Sequence, residues 1–220
     1  MSSDLPLAFC WTRFGTEAGQ SINEITRRKE EERRANSGLF LWGIGNALGP
    51  SIRSLVAVES DPVVLFSPTK SPARSVDATP SAVVAWTRAE TLDGSEFPLP
   101  RASLITSHSD PKSPKTVHYA LVCYSATPVN FQLRGVPISM ASLRNLQTGN
   151  PVGASQVTAI VTAVESNVCG GSVYDIAFQS ALVAPYFLRL SNPVPLSAAS
   201  GGWQSRVDAE WTRRRCTEPS

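Results

Sequence analysis

The segment GLFLWGIGNALGPS, residues 38–51, combines residue types that could hold a flat heterocycle. Trp42 ends a short apolar run, and Asn46 follows it after a turn that contains Gly43 and Gly45. An indole ring stacks well on a base, and an asparagine amide can both donate to and accept from a base edge. The pattern therefore predicts a pocket for one nucleobase, in which loss of the Trp42 ring weakens binding by about 1 to 3 kcal/mol while folding largely survives.

Four further residues complete the predicted ligand-binding site. Trp11 and Trp86 lie in other strand candidates and could add aromatic surface, and Arg13 and Arg53 could neutralise a phosphate. Each tryptophan could instead belong to a core, because large aromatic side chains are more often packed inside a protein than used as ligand platforms. The two alternatives differ in whether the three indole rings meet at one cavity.

The same glycines allow a different interpretation, a dinucleotide-binding turn. Gly43, Gly45 and Gly49 form G-x-G-x-x-x-G, one residue longer than the dinucleotide fingerprint. That fold also needs a parallel strand with an acidic residue at its end, whereas the next strand candidate ends in Ser67 and Pro68. The pattern disfavours a dinucleotide, and we predict no bound cofactor.

Patterns that indicate catalysis are sparse. His118 precedes Cys123 by five residues in one strand candidate, and residues an odd number apart point to opposite faces, which disfavours a nucleophilic dyad. His108 and His118 could approach one metal ion, but a third ligand is not evident. We predict no catalytic residue and no metal site, and we expect changes at Cys123 or His118 to affect stability more than any activity.

A long charged helix is predicted before the aromatic segment. Ser21 and Glu24 have the spacing of a capping box, and Gly38 supplies a C-terminal stop. Two i,i+4 pairs of favourable orientation follow, Glu24 with Arg28 and Glu30 with Arg34. Because apolar residues are few, we expect this helix to lie on the surface with much of its charge paired internally.

Strand-like segments make up most of the remaining chain. AFCWTRF precedes the charged helix, LFLWGIG follows it, and PSIRSLVAV predicts a second, shorter helix. Six more strand candidates come later, in PVVLFS, AVVAWTRAE, ASLITS, HYALVCYS, QVTAIVTAVE and YDIAFQSALV. Such a run of strands argues against a doubly wound fold and predicts an α+β fold, a mixed or antiparallel, partly closed β-barrel with two or more helices packed outside. We predict a single domain over residues 1–195 and a Pro/Gly/Ser-rich linker with a basic C-terminal tail over residues 196–220.

Composition fits a soluble globular protein rather than a membrane protein. The 220 residues are 42% hydrophobic and 17% charged, and no apolar run approaches the roughly 20 residues of a membrane-spanning helix. The N-terminus lacks the features of a secretory signal, and the four scattered cysteines favour reduced thiols, so we predict a cytoplasmic location. A net charge of +2 does not by itself predict nucleic-acid binding, which depends on local clusters of Lys and Arg.

The order of these elements resembles that of the PUA-like superfamily, which includes the EVE, ASCH and YTH domains. The order is strand, helix, aromatic strand with the small-residue turn LFLWGIGN, helix, and then a run of strands, over about Phe9 to Leu190. The resemblance implies binding of RNA, or of a modified base in DNA or RNA, in a pocket lined by aromatic residues. The long proline-rich loops and the C-terminal extension depart from that pattern.

Together these features predict a non-catalytic binding module for a nucleobase, possibly a modified one, or for nucleic acid, with no membrane partner. One alternative is an enzyme that acts on a nucleotide or another small molecule. A second alternative is a protein interaction module that uses the charged helix.

Overall fold

Two α-helices and twelve strands are found in the part of the chain that the structure describes. It is a computed structural model that describes residues 7–15, 21–69, 82–110, 112–128, 136–164 and 172–196. The predicted linker and basic tail, residues 196–220, lie outside the described residues apart from Leu196. No helix in the described ranges is long and apolar enough to cross a bilayer.

The elements follow one another in an order close to the predicted one. In chain order they are β1 (Ala8–Phe14), α1 (Ile22–Ala35), β2 (Leu39–Ile44), α2 (Gly49–Val58), β3 (Val63–Pro68), β4 (Ala82–Thr91), β5 (Glu96–Phe97), β6 (Thr106–Ser109), β7 (His118–Tyr124), β8 (Val136–Ser139), β9 (Leu143–Asn145), β10 (Thr158–Ala163), β11 (Val173–Ile176) and β12 (Phe178–Pro195). A short 3-10 helix, Met140–Ser142, joins β8 to β9.

Ten strands form one mixed sheet whose centre is β12. The main order is β2-β7-β12-β3-β1-β10-β9, and a branch pairs β4 with β12, β5 and β6. β1 and β3 are parallel, whereas the other pairs are antiparallel. β12 reaches three neighbours because its successive parts pair with β3, then β7, then β4. A separate small sheet pairs β8 with β11.

The α+β prediction and the mixed sheet are confirmed, but the sheet does not close into a barrel within the described residues. β2 and β9 end the main order without pairing with each other. Helix α1 occupies the outer edge of β2: the Leu39 amide donates to the Asn36 carbonyl (3.1 Å), and the Leu41 amide donates to the Glu32 carboxylate (2.8 Å). Since α1 already satisfies these edge donors, this part of β2 has no need of a further strand.

The ends of α1 are confirmed as predicted. The Ser21 side chain accepts from the Glu24 amide, and the Glu24 carboxylate accepts from the Ser21 amide. At the other end Gly38 has φ +107°, a conformation that favours glycine, and its amide donates to the Arg33 carbonyl. The sequence therefore specifies both ends of this helix.

The predicted surface position of α1 is wrong for one of its faces. Glu30 does pair with Arg34 at 2.7 Å, but the Glu24 carboxylate turns back to the cap, and the Arg28 guanidinium donates instead to the Leu104 carbonyl. Arg28, Lys29 and Glu32 are all buried. Because this face of the helix covers both the edge of β2 and the segment that carries Leu104, its charged groups are drawn inside.

Candidate functional site

A half-open cavity of about 660 Å³ lies at the carboxyl ends of β1 and β2. Such a volume lies within the range of small-molecule and cofactor pockets. One wall is the first half of α1, and the others come from the segments around β6, the start of β7 and the loop before β10. The lining side chains that could contact a ligand through charge or hydrogen bonds include Arg13, Arg28, Lys29, Asn46, His108, Lys115, His118 and Gln156.

The charged side chains that line this cavity are all cationic. Two arginines and two lysines line it, and its described lining contains no Asp or Glu. Lys115 is exposed at the mouth, whereas Lys29 is only 2% exposed. An anionic group is thus the ligand chemistry that this lining favours.

Lys29 belongs to a buried ion pair that also supports the sheet. Its ammonium lies 2.8 Å from Oε2 of Glu32, and Oε1 of Glu32 accepts from the Leu41 amide. Burial lowers the pKa of Lys29 to about 8, against the opposing charge of Glu32. Burial also lowers the pKa of Arg28, to about 10. Both remain cationic for the most part at neutral pH; the charge of Lys29 is balanced by Glu32, and Arg28 adds a guanidinium to the cavity wall.

Sequence reasoning missed this cationic helix face, although the signal was present. Ile25 starts the buried face, and Arg28, Lys29 and Glu32 continue it at the i+3, i+4 and i+7 positions. The small overall number of apolar residues in the helix favours a surface position and hides this face. Following the periodicity of Ile25 along the helix would have placed these charges inside.

His118 forms part of the cavity wall against the third tryptophan. Its ring stacks on Trp86 with a centroid distance of 5.5 Å and an interplanar angle of 7°. Burial lowers the pKa of His118 to about 4, and the nearby Lys115 charge lowers it further. The imidazole is therefore neutral at pH 7 and offers one donor and one acceptor.

Cys123 does not resemble a reactive thiol. Its side chain is fully buried among the apolar residues of β7 and its neighbours, and burial raises its pKa to about 12. A thiolate is scarce at neutral pH under these conditions. In the part of the chain that the structure describes, no group of three or more His, Cys, Asp or Glu side chains could hold a metal ion.

Trp42 lines the cavity but is held mainly by the core. The residue is 6% exposed, and its ring makes edge contacts with Phe14, Phe66 and Phe178 at centroid distances of 5.6, 4.7 and 6.2 Å. A ring so enclosed cannot offer a full face to a base. The structure places Trp42 as a core residue with one part at the cavity wall.

The other predicted site residues separate into two groups. Arg13 and Asn46 line the cavity with Trp42, whereas Trp11, Trp86 and Arg53 do not. Trp11 and Trp86 are buried in two different clusters, where their indole N–H groups donate to Ser67 (3.0 Å) and Ser107 (3.2 Å), and Arg53 is exposed on α2. The three tryptophans do not meet, because each belongs to a different core cluster. Trp11 and Trp42 lie on opposite faces of the sheet, and Trp86 packs in a third cluster with Leu41.

Arg13 reaches the cavity from a fixed position. Its guanidinium donates to the Tyr174 hydroxyl (2.7 Å) and lies 5.8 Å from the Trp11 ring and 5.3 Å from the Tyr174 ring. These aromatic contacts favour the cation and hold it in place. Trp11 thus acts on the site through Arg13 rather than by touching a ligand.

The dinucleotide alternative does not fit the observed topology. It requires the strands on either side of α2 to be parallel neighbours. β2 pairs with β7, and β3 pairs with β1 and β12. No family model matches the chain, and neither curated proteins nor solved structures gave a significant match.

Proposed function

We propose that this chain is a non-catalytic binding module for a nucleobase-containing ligand, a nucleotide or a stretch of nucleic acid, which it holds in the cavity beside α1. The observation that carries the proposal is the cationic lining: Arg13, Arg28, Lys29 and Lys115 contribute four positive side chains, with no acidic residue in the described lining. Phosphate is the anion that a nucleotide would bring to such a site.

Neutral polar groups beside these charges support a base as the other half of the ligand. Asn46 is exposed at the end of β2 and borders the cavity, and His118, at the start of the neighbouring strand β7, supplies a neutral ring. Both groups can donate and accept hydrogen bonds. The aromatic contribution is smaller than the sequence suggests, since Trp42 presents only part of its ring.

The proposal includes membership of the PUA-like superfamily. Its support is the order of elements, a strand, helix, strand and helix followed by strands, with β1 and β3 parallel in an otherwise antiparallel sheet. The implied ligand of that superfamily, a base in RNA or DNA, agrees with the charge of the cavity.

The test is equilibrium binding of nucleoside monophosphates, the matching nucleosides and a short single-stranded oligonucleotide at 50 and 200 mM salt. We expect monophosphates to bind more tightly than nucleosides, and the difference to shrink at the higher salt, because the phosphate term is electrostatic. Lys115→Ala should weaken monophosphate binding and leave folding intact, since Lys115 is exposed.

Lys112→Ala is the matched control, because Lys112 is an exposed lysine of the same loop that does not line the cavity. Arg53→Ala is a second control on α2. Equal losses in Lys115→Ala and Lys112→Ala would mean that only the overall charge matters. Absence of binding by all three ligand types at 50 mM salt would overturn the proposal.

A further inference from the structure

One stretch of backbone in the cavity has unused hydrogen-bonding groups, the outer edge of β2 at Gly43. In an antiparallel pair, alternate residues direct both their N–H and C=O groups to the partner strand, and the residues between direct theirs away from it. Gly38 faces β7, because its carbonyl accepts from the Ser125 amide at 2.9 Å. The Leu39 amide donates to Asn36, just past the end of α1, and the Leu41 amide donates to Glu32 of α1, so the odd-numbered residues face outward. Gly43 is the next odd-numbered residue.

Helix α1 covers this edge only as far as Leu41. Leu39 bonds to Asn36, and Leu41 bonds to Glu32. Each step of two residues along the strand therefore corresponds to about one turn of the helix. One turn further, at Arg28 and Lys29, the cavity begins, and Gly43 is part of its lining. No described residue bonds to the outward N–H and C=O of Gly43.

The position also has no room for a side chain. A Cβ added at Gly43 would lie 2.9 Å from Cγ2 of Ile105 and 3.5 Å from Nε2 of His118. The glycine therefore brings bare backbone to the wall, with a donor and an acceptor side by side. Such a pair matches a flat ligand edge that carries one acceptor next to one donor.

We infer that Gly43 reads a lactam edge, an N–H beside a C=O, as found in uracil, thymine and guanine; this inference rests on the proposed nucleobase function. The Gly43 N–H donates to the exocyclic oxygen and the Gly43 carbonyl accepts from the ring N–H. Within a strand residue the N–H lies toward the preceding residue, so the ligand oxygen falls on the side of Leu41 and the Lys29–Glu32 pair. Its second lone pair faces the cationic side chains of α1. Adenine and cytosine would pair in the reverse sense, with a ring nitrogen at the Gly43 N–H and the amino group at the carbonyl, so they bring no oxygen to these charges.

The experiment compares uridine 5′-monophosphate with its 3-methyl and 5-methyl derivatives by calorimetry at 50 mM salt. The 3-methyl group removes the ring donor and blocks the edge, whereas the 5-methyl group leaves the edge intact. We expect about tenfold or greater weakening for the 3-methyl compound and little change for the 5-methyl compound. Adenosine 5′-monophosphate should bind more weakly than the uridine compound.

Amide NMR on the full chain provides an independent readout. The Gly43 amide proton should move downfield when uridine 5′-monophosphate is added and should not move with the 3-methyl compound. Equal affinity for uridine 5′-monophosphate and its 3-methyl derivative, with an unmoved Gly43 amide proton, would overturn this inference and leave the nucleotide-binding proposal standing. Failure of every nucleotide to bind would overturn both.

Discussion

At the scale of single residues, Trp42 lines the cavity but belongs mainly to the core. Its ring is packed against Phe14, Phe66 and Phe178. We predict that Trp42→Ala lowers the free energy of unfolding by about 3 to 5 kcal/mol, because the truncation leaves a cavity among these rings. Chemical denaturation measures this loss.

Asn46→Ala is the control for the Trp42 substitution. Asn46 is exposed, so its replacement should change the unfolding free energy by no more than about 0.5 kcal/mol while weakening ligand binding. A nearly native denaturation curve for Trp42→Ala, together with lost binding, would restore the stacking role predicted from the sequence.

His118 predicts a defined dependence of stability on pH. Its pKa is about 4 in the folded chain, below the 6.5 of an unperturbed histidine, so the unfolded chain takes up the proton first. The contribution of His118 to stability is therefore complete above pH 6.5 and is lost as the pH falls toward 4, by roughly 3 kcal/mol in all.

His118→Phe keeps a ring against Trp86 and removes the proton site. Its unfolding free energy should fall less steeply than that of the original chain between pH 6.5 and 4, as measured by urea denaturation across this range. Parallel pH profiles for the two proteins, or an NMR titration of His118 near pH 6.5, would contradict the prediction.

The sequence predicted part of the site because residue types and short spacings are visible in it. Trp42, Asn46 and Arg13 do line the cavity. Lys29 and Lys115 could not be paired with them from spacing alone, because α1 and the loop before β7 reach the cavity only through the folded sheet. Trp11 and Trp86 do not line the cavity, and the sequence could not show this, because alternation along a strand fixes the face of a residue but not which face carries the cavity.

At the scale of elements, α1 is stabilised by its capping box and by a buried ion pair. The Lys29–Glu32 pair is 3% and 0% exposed, whereas the Arg27–Glu31 pair on the same helix is 46% and 42% exposed. We predict that Glu32→Gln costs about 3 to 5 kcal/mol of stability, because Lys29 is left as a buried charge without its counter-ion. Urea denaturation gives the value.

Two further variants serve as controls for Glu32→Gln. Glu31→Gln should cost no more than about 0.5 to 1 kcal/mol, since an exposed pair contributes little. The double variant Lys29→Met with Glu32→Gln should recover much of the loss, because it removes both buried charges and keeps an oxygen for the Leu41 amide. A double variant no more stable than Glu32→Gln alone would show that the pair is not the cause.

Most elements could be predicted because their signals are local. The capping box of α1, the proline in the first turn of α2 and the apolar runs of β3, β4 and β7 all fall within a few residues. The second half of β12 was missed because Pro185, Pro193 and Pro195 interrupt the usual strand pattern. The open sheet was missed because the coverage of the β2 edge by α1 depends on contacts that no local pattern reveals.

At the scale of the whole molecule, β12 holds the main sheet together. It lies between β7 and β3 and also carries β4. We predict that a chain ending at residue 196 unfolds cooperatively, and that a chain ending at residue 177 does not fold. Circular dichroism and thermal melting of the two truncated chains test this. A cooperative transition in the shorter chain would show that the remaining strands are self-sufficient.

The central position of β12 also affects how the chain folds while it is being synthesised. The ribosome makes β12 after every other strand of the described sheet, so the β2-β7 pair and the β3-β1-β10-β9 group emerge before the strand that joins them. The edges of β7 and β3 that later pair with β12 are unpaired until then. Sheets whose strands are far apart in the sequence also form slowly. We expect newly made chains to associate through these edges during that interval, and yield in the cell to depend on the speed of synthesis and on temperature more than on the stability of the finished fold.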